Sequence, residues 1–526
     1  MSKSSNKRSR NGKKCASRND YDRRRKDDKT DDYKSSKTND VSWYTRNPSI
    51  AFSAGNLSFN APLGDNIELG SQWSQPVVTG STYTLPGTMA IGFAPTGGGS
   101  HKNESILNDI ANDQYAWVRY ANSGHANYDP NDYMLYLLGV IQTYVIYGYL
   151  TRAYGVARTF SGLNRYYPSA WLEAMGLDPA DISMHLADLR YYIEYFRSKM
   201  TQFYIPGNMP ILQRAVFMST QIYADAPLQK SQTYVFSPTH VFKYSPRSTE
   251  QGGSLEKFSF CTPGAKMHFD TLVSRCEEII QALIDEEDIG IMSGDTLKAY
   301  GADKCAAPAV MPVDYVISPV YDLNILKQIE NSLIFGTPTD NFIRQELTAT
   351  SSYLVTGLTR NINASSSVNT NIAAYGPTMY KLLLAHTDVV DPSEVIESSR
   401  YLFSANFDFT DPGDPSTGVL TVDECDFFII TQVEVFKFTI TDNGVRQLTY
   451  HVYDTSYTPS NSSRLADFLP FSVHPQTYWF NGTTGNLTFA GMYGDVENYA
   501  VIDNTTMGKL MKAAKLSQFD FPIRGV

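Results

Sequence analysis

From Tyr133 to Thr151 the chain runs for 19 residues without a charged side chain. A helix of that composition either crosses a membrane or is surrounded by protein on all sides. Its length is close to what a bilayer requires, but Gln142, Thr143 and five tyrosines would leave polar groups in hydrocarbon. The stretch is therefore read as the central helix of a large packed core. Asp129-Pro130 marks its start, an acid able to cap free amides followed by a proline suited to the first helical position. At 526 residues the chain has room for three or four domain-sized units, or fewer large ones, taking about 150 residues per domain. Such a core needs no disulfide or metal staple.

Composition supports a folded body with large contact surfaces. Charged residues make up 19% and aromatics 13%, with 35 Tyr and 27 Phe. That excludes a disordered chain, a coiled-coil rod and a collagen-like repeat. Tyrosine is enriched at interfaces because it buries area while keeping a polar tip. The five cysteines, Cys15, Cys261, Cys276, Cys305 and Cys425, include no C-x-x-C pair, so a zinc ribbon and a thioredoxin-type site are unsupported. No apolar run follows the N-terminal charges, so no signal peptide is expected and the compartment is read as reducing and intracellular. Sequons such as Asn481-Gly482-Thr483 are then chance matches in polar loops.

The overall charge of −10 hides a division. Residues 1–40 hold 14 Lys and Arg against seven Asp, a net of +7, which leaves −17 on the remainder. Apolar residues are nearly absent before Val41. A segment of this kind cannot bury enough surface to offset its ordering entropy, so a disordered basic arm is expected. Such an arm binds polyanions through charge alone, by neutralising phosphates and releasing counterions. Its candidate RNA-binding residues are Lys3, Lys7, Arg8, Arg10, Lys13, Lys14, Arg18, Arg23, Arg24, Arg25 and Lys26. A solvated tail or localisation tag is the alternative. The acidic body suits a protein that touches nucleic acid through the arm and otherwise repels it.

Residues 45–128 read as irregular with short extended pieces, and Gly97-Gly98-Gly99 as a flexible loop tip. Asp178-Pro179 predicts a helix whose apolar residues Ile182, Leu186, Leu189, Ile193, Phe196, Met200 and Phe203 recur at heptad spacing. That seam is either a core face or a subunit contact. A further helix fits 210–223, and short strands fit 234–236 and 241–244. Phe269 to Ile284 is amphipathic and runs into Asp285-Glu286-Glu287-Asp288, acids that oppose a helix C-terminus and are expected to be solvated or paired. Residues 348–377 read as a polar surface excursion. A short helix is expected from Asp391-Pro392. Residues 427–440 and 449–453 read as a hairpin turned at Asp442-Asn443-Gly444. The tail returns to helix at 507–516.

Chemistry-bearing motifs are lacking. None of the eight histidines stands in H-E-x-x-H, no serine sits in G-x-S-x-G, and G-x-G-x-x-G does not occur. His185 reads as structural, and Asp411 and Asp414 as turn residues. No catalytic residue, metal ligand or cofactor is assigned.

Five stretches in order along the chain resemble the capsid proteins of picobirnaviruses. They are Asn39-Asp40-Val41-Ser42-Trp43-Tyr44 with Asn47-Pro48; Tyr154-Gly155-Val156 with Leu163-Asn164-Arg165-Tyr166-Tyr167-Pro168; Leu186-Ala187-Asp188-Leu189-Arg190; Asn324-Ile325-Leu326 with Gln328-Ile329; and Gly494-Asp495-Val496-Glu497-Asn498-Tyr499. The resemblance implies a mainly α fold, α+β overall, divided into a basic arm at 1–40, a helical shell domain at 41–345, a β-rich projecting region at 346–455 and a return to the shell at 456–526. It implies a non-enzymatic viral structural protein that forms homodimers, closes a T=1 icosahedral shell around a double-stranded RNA genome, and resides in the virion after assembly in the host cytoplasm. Self-cleavage of the arm and contact with host membranes are further properties of the family. The alternatives left by the residues alone are an intracellular hydrolase with a basic tail and a monomeric RNA-binding adaptor.

Overall fold

The computed structural model describes residues 47–57, 66–68, 82–84, 87–99, 105–123, 127–159, 167–226, 231–246, 252–347, 352–363, 380–385, 387, 389–411, 414–440, 446–452, 476–481, 486–492 and 498–519. The chain divides into two compact units, Met1–Ala61 and Pro62–Val526. Within the first, a two-turn helix spans Pro48–Ala54, opened by its proline. Everything below concerns the second.

The core helix runs Pro130–Ala157, and every side chain from Tyr133 to Val156 is buried. Asp129 and Asp132 form a reciprocal capping box at its start. Its tyrosines explain how so apolar a helix remains a protein core element. Tyr133 shares a hydrogen bond with Thr296 (3.0 Å), while Tyr136 donates to the Tyr204 carbonyl (2.6 Å) and Tyr149 to that of Met175 (2.5 Å). Each ring fills volume while its hydroxyl answers a polar group on a neighbouring element. Thr143 and Thr151 satisfy themselves on the helix's own carbonyls. At Gly148 the helix from Pro210 to Thr220 comes so close that a Cβ would lie 2.2 Å from Ser219 Oγ. Arg152, fully buried, donates to the carbonyls of Met218, Gln221 and Phe236. It thereby binds the core helix to the C-terminal end of that neighbour, where carbonyls are otherwise unpaired.

Among the described residues the remaining architecture is two six-stranded sheets and three two-stranded pairs, an α+β arrangement. The first sheet has the order Arg446–Val452, Phe428–Ile440, Thr88–Pro95, Thr233–Pro238, Tyr223–Ala224, Val320–Tyr321. Its central pair, Thr88–Pro95 and Thr233–Pro238, is parallel. The second sheet is antiparallel throughout, in the order Phe403–Asp411, Asp414–Cys425, Ser352–Asn363, Asp340–Leu347, Ser254–Ser259, His240–Ser245. The chain passes between sheets at two corners, Thr239 and Asp426. Thr239 Oγ1 donates to the Phe93 carbonyl (3.1 Å) and lies 2.8 Å from Thr431 Oγ1, which pins the first corner to both neighbouring strands. Strands from 346–455 thus pair with strands that precede them in the chain, Phe428–Ile440 with Thr88–Pro95 and Ser352–Asn363 with Asp340–Leu347.

Several elements depart from the sequence reading. Residues 45–128 hold the helix Ile106–Ala121 and the strand Thr88–Pro95. The strand escaped because it is buried on both faces and so lacks alternation. The helix escaped because its buried stripe includes polar residues: Asn108 accepts from the Leu354 amide (2.7 Å) and Gln114 donates to the Phe519 carbonyl (3.0 Å). Gly97-Gly98-Gly99 is buried, not a loop tip. Gly99 has φ +73°, and a Cβ there would lie 2.0 Å from the Asp423 carbonyl, so glycine serves close approach here rather than flexibility. The seam helix is two helices, Pro179–Met184 and Leu186–Met200, broken at His185. The helix from Pro210 stops at Thr220 and the chain turns into the strand Tyr223–Ala224. The acid run lies between two helices: Phe269–Ile284 ends before it, and Glu287 and Asp288 occupy the first turn of Glu287–Tyr300, where acids are favoured. Residues 352–363, read as part of a polar excursion, form a strand in which Tyr353 to Arg360 alternate between half-buried and buried.

Other expectations hold. Helices span Pro392–Ser398 and Asn504–Gln518. The hairpin strands pair in the register Ile440↔Arg446, and its turn Asp442-Asn443-Gly444 lies outside the described residues. The heptad seam faces the core: Ile182, Leu189, Ile193, Phe196, Met200 and Phe203 are buried and Leu186 half-buried.

The seam assignment predicts that Leu189→Asp, which buries a charge with no partner, costs several kcal/mol and yields insoluble protein. A soluble Leu189→Asp variant with an unchanged melting temperature would contradict it.

Candidate functional site

The eleven Lys and Arg assigned to RNA contact, Lys3 to Lys26, lie outside the described residues. What the structure places within the body is a set of buried ionic groups serving the fold and a set of apolar surfaces serving none of it.

The central ionic group is Asp426, fully buried at the corner where Asp414–Cys425 gives way to Phe428–Ile440. Arg214, from the helix Pro210–Thr220, pairs with one of its oxygens, and Arg400 stands 3.5 Å from the same atom. The other oxygen accepts from the Phe427 amide (2.7 Å) and from the Gln518 side chain. The Asp426 carbonyl takes the Thr96 hydroxyl (2.6 Å), and Arg214 lies over the Tyr401 ring at 5.0 Å. Burial alone would raise the Asp426 pKa. The two guanidiniums and the donated hydrogen bonds outweigh it and hold the carboxyl below its ordinary range. Burial likewise works against the charge on each arginine. Arg214, closer to the carboxylate, is held above its usual value, whereas Arg400, beside a second cation, is drawn below.

One turn away, Lys515 of the C-terminal helix pairs with Glu424 (2.5 Å) and donates to the Gly98 carbonyl. The buried glycine segment therefore exists to let the backbone meet this lysine. A third buried pair, Lys327–Glu394 at 2.7 Å, joins the helices Leu323–Glu330 and Pro392–Ser398.

Among the described residues no catalytic set gathers around the reactive side chains. Burial pushes the Cys261 and Cys425 thiols up to about 12 and raises Cys276 well above its ordinary value, so all three remain protonated. His240 is held down to about 4 by burial and by Lys257. His185 stacks on Phe269 and, with His268, faces Asp181, whose carboxylate caps the Phe269 amide at 2.7 Å. That is the structural role expected of His185. Among the described residues no three His, Cys, Asp or Glu side chains converge as a metal site.

The surface carries the other half of the pattern. The segment Ala306–Pro312 straps across the core helix and the helix Pro210–Thr220, enclosing with them an apolar groove of about 660 Å³ floored by Gly148 and Val216. The strap is held by its carbonyls: Tyr147 donates to Ala309, and Arg190 to Met311 (2.9 Å) and Pro312 (2.8 Å). Val310 on the strap and Val313 just beyond it are exposed. The sequence reading missed Arg214, Arg400, Asp426 and Lys515 as a group. They stand more than a hundred positions apart at the extremes, and only the fold brings them together.

A body whose ions are committed to its own rigidity, and whose apolar faces are left at the surface, is built as a structural subunit. The comparisons with known proteins agree. The family model described as "Picobirnavirus, Capsid protein" matches residues 43–382, and the chain belongs to that family. The capsid protein precursor of a human picobirnavirus (strain Human/Thailand/Hy005102/-) is 27% identical over 519 residues, covering 93% of this chain and 92% of that one. The X-ray structure of the picobirnavirus capsid shares the fold, with a TM-score of 0.74 and 22% identity over 93% of this chain and all of its own. The chain is thus a capsid structural protein and not an enzyme. It assembles with copies of itself and is located in the virion. The hydrolase and the adaptor readings give way to this one.

Asp426→Asn should leave two buried arginines without a carboxylate and cost about 3–5 kcal/mol, read as a lower chemical-denaturation midpoint. The pKa of Asp426 is lower folded than unfolded. Its stabilisation is therefore complete above the ordinary carboxylate range and fades as pH falls through the depressed folded value. The gap between parent and variant should close in acid. A gap that stays constant to low pH would contradict the ionic assignment.

Proposed function

We propose that this capsid protein forms two-fold dimers that close a T=1 icosahedral shell around a double-stranded RNA genome in the host cytoplasm, with the N-terminal arm as its RNA contact. The observation that carries the assembly reading is the capsid family match across residues 43–382. The RNA reading rests on the charge division, +7 in residues 1–40 against −17 in the rest. An acidic body repels phosphate, so contact falls to the residues that can neutralise it.

In this proposal Lys3, Lys7, Arg8, Arg10, Lys13, Lys14, Arg18, Arg23, Arg24, Arg25 and Lys26 contact phosphates and read no bases. Asp27, Asp28, Asp31 and Asp32 weaken the second half of the arm. Region 346–455 carries the projecting part. Its strands Ser352–Asn363 and Phe428–Ile440 pair with Asp340–Leu347 and Thr88–Pro95, which supports a region that rises from the shell domain's own sheets instead of folding separately. Host-membrane contact during entry is the least supported element, since the uncharged helix is wholly inside the body.

Deleting residues 1–38 should leave particles that form but carry little nucleic acid, measured by the ratio of absorbance at 260 and 280 nm and by extraction. For the full-length protein, the log–log slope of RNA affinity against salt should reach about 0.9 per phosphate neutralised on a DNA-like duplex. Unchanged RNA content after the deletion would move the contact to the body.

A further inference from the structure

The carboxylates of Asp426, Glu424 and Glu394 each face a lysine or an arginine. Among the described residues no cation acts on the carboxyl of Asp225. Asp225 follows the short strand Tyr223–Ala224, and its amide donates to the Gln232 carbonyl (3.1 Å), closing the end of the hairpin with Thr233–Pro238. The residue is half-buried, and its Oδ1 is shielded from water without a hydrogen-bond partner. On the neighbouring strand Tyr234 is fully buried, and its hydroxyl takes the Gln232 side-chain amide (2.8 Å). Asp225 and the buried Glu330 of the helix Leu323–Glu330 both oppose ionisation of Tyr234. Asp322, which caps that helix, and Arg152 of the core helix act on Tyr223, and neither is among the groups acting on Asp225. Burial pushes the Asp225 carboxyl up to about 7, against the pull of the Asp225, Gln232 and Ala226 amides.

We propose that the Asp225 carboxyl is a proton-operated latch on the edge of the first sheet, closed while the group is neutral and loosened when it ionises. The edge strand Val320–Tyr321 has one strand neighbour, Tyr223–Ala224, reached by the Val320 amide on the Ile222 carbonyl (2.9 Å) and by the pairs Tyr223↔Val320 and Ala224↔Tyr321. Both edge residues are exposed, so the strand depends on that neighbour more than on apolar packing. A neutral carboxyl stays beside Tyr234 without a partner cation. A carboxylate in the same place lacks the hydration its charge requires. It regains water when the hairpin end opens, and the short strand that carries Val320–Tyr321 opens with it. The sign is opposite to that of Asp426. The folded state holds the Asp225 proton more tightly than the unfolded chain does. Its stabilisation is therefore complete below the ordinary carboxylate range and is lost as pH rises through about 7. The edge is closed in mild acid and loose in mild alkali. This regulation belongs to the single chain and goes beyond the assembly reading.

The test is hydrogen exchange of the full-length protein, read by mass spectrometry from about pH 5 to about pH 9 and corrected for intrinsic rates. Protection of the peptides covering 222–225 and 319–322 should fall about tenfold per pH unit up to about pH 7 and then level off. The core helix Pro130–Ala157 should keep its protection throughout. Asp225→Asn retains the shape of the side chain and removes its charge. Both segments should then stay at their acid level of protection across the range. The chemical-denaturation midpoint of the variant should also gain on that of the parent as pH rises. Equal protection at both ends of the range in the parent, or the same fall in the variant or in the core helix, would overturn the latch. Should Asp225→Asn fail to fold, the parent profile decides alone: a fall confined to the two segments supports the latch, and a flat or global one overturns it.

Discussion

The carboxylate of Asp426 holds the body together at the point where its two sheets meet. A strand that leaves one sheet and enters another exposes backbone polar groups at the corner, and those groups are buried here. Asp426 answers them locally through the Phe427 amide and the Thr96 hydroxyl, and its charge draws in Arg214 and Arg400 from the helical layer and Gln518 from the C-terminal helix. Buried ion pairs are weak sources of net stability, because desolvation offsets much of the attraction. Their consequence is specificity: a misplaced helix would leave an unpaired ion inside the protein. Lys515–Glu424 beside the buried glycines, and Lys327–Glu394 between two short helices, repeat the device. The result is a body whose elements have one arrangement, as a subunit repeated many times in one shell requires.

How much of this could be read from the residues depended on the kind of constraint. The core helix was legible because 19 uncharged residues permit few alternatives. The helices Phe269–Ile284 and Asn504–Gln518 were legible from periodicity, and the hairpin strands from alternation and turn chemistry. The strand Thr88–Pro95 was not, since burial on both faces erases the period-two signal. The helix Ile106–Ala121 was obscured by Asn108 and Gln114, polar residues buried by partners nearly 250 and 400 positions away. The glycine triplet was misread for a related reason: close approach and flexibility require the same residue, and only the neighbouring Asp423 backbone and Lys515 distinguish them. The ionic corner was invisible because its members are scattered from Thr96 to Gln518. The basic arm was fully legible as charge, and its residues are outside the described part of the fold.

The division of labour follows from that charge distribution and that core. The body commits its buried ions to its own shape and presents aromatic and aliphatic surface outward, on the helix Leu186–Met200 and on the strap from Ala306. The arm holds the excess positive charge. In this account assembly is a property of the body, and RNA is a ligand of the arm rather than the scaffold on which the shell is built.

Sedimentation velocity of full-length protein, freed of nucleic acid by nuclease and high salt and then returned to moderate salt, tests that claim most directly. The account predicts closed particles of uniform size, confirmed by electron microscopy, without added RNA. A discrete small species that forms particles only when RNA is supplied would contradict it.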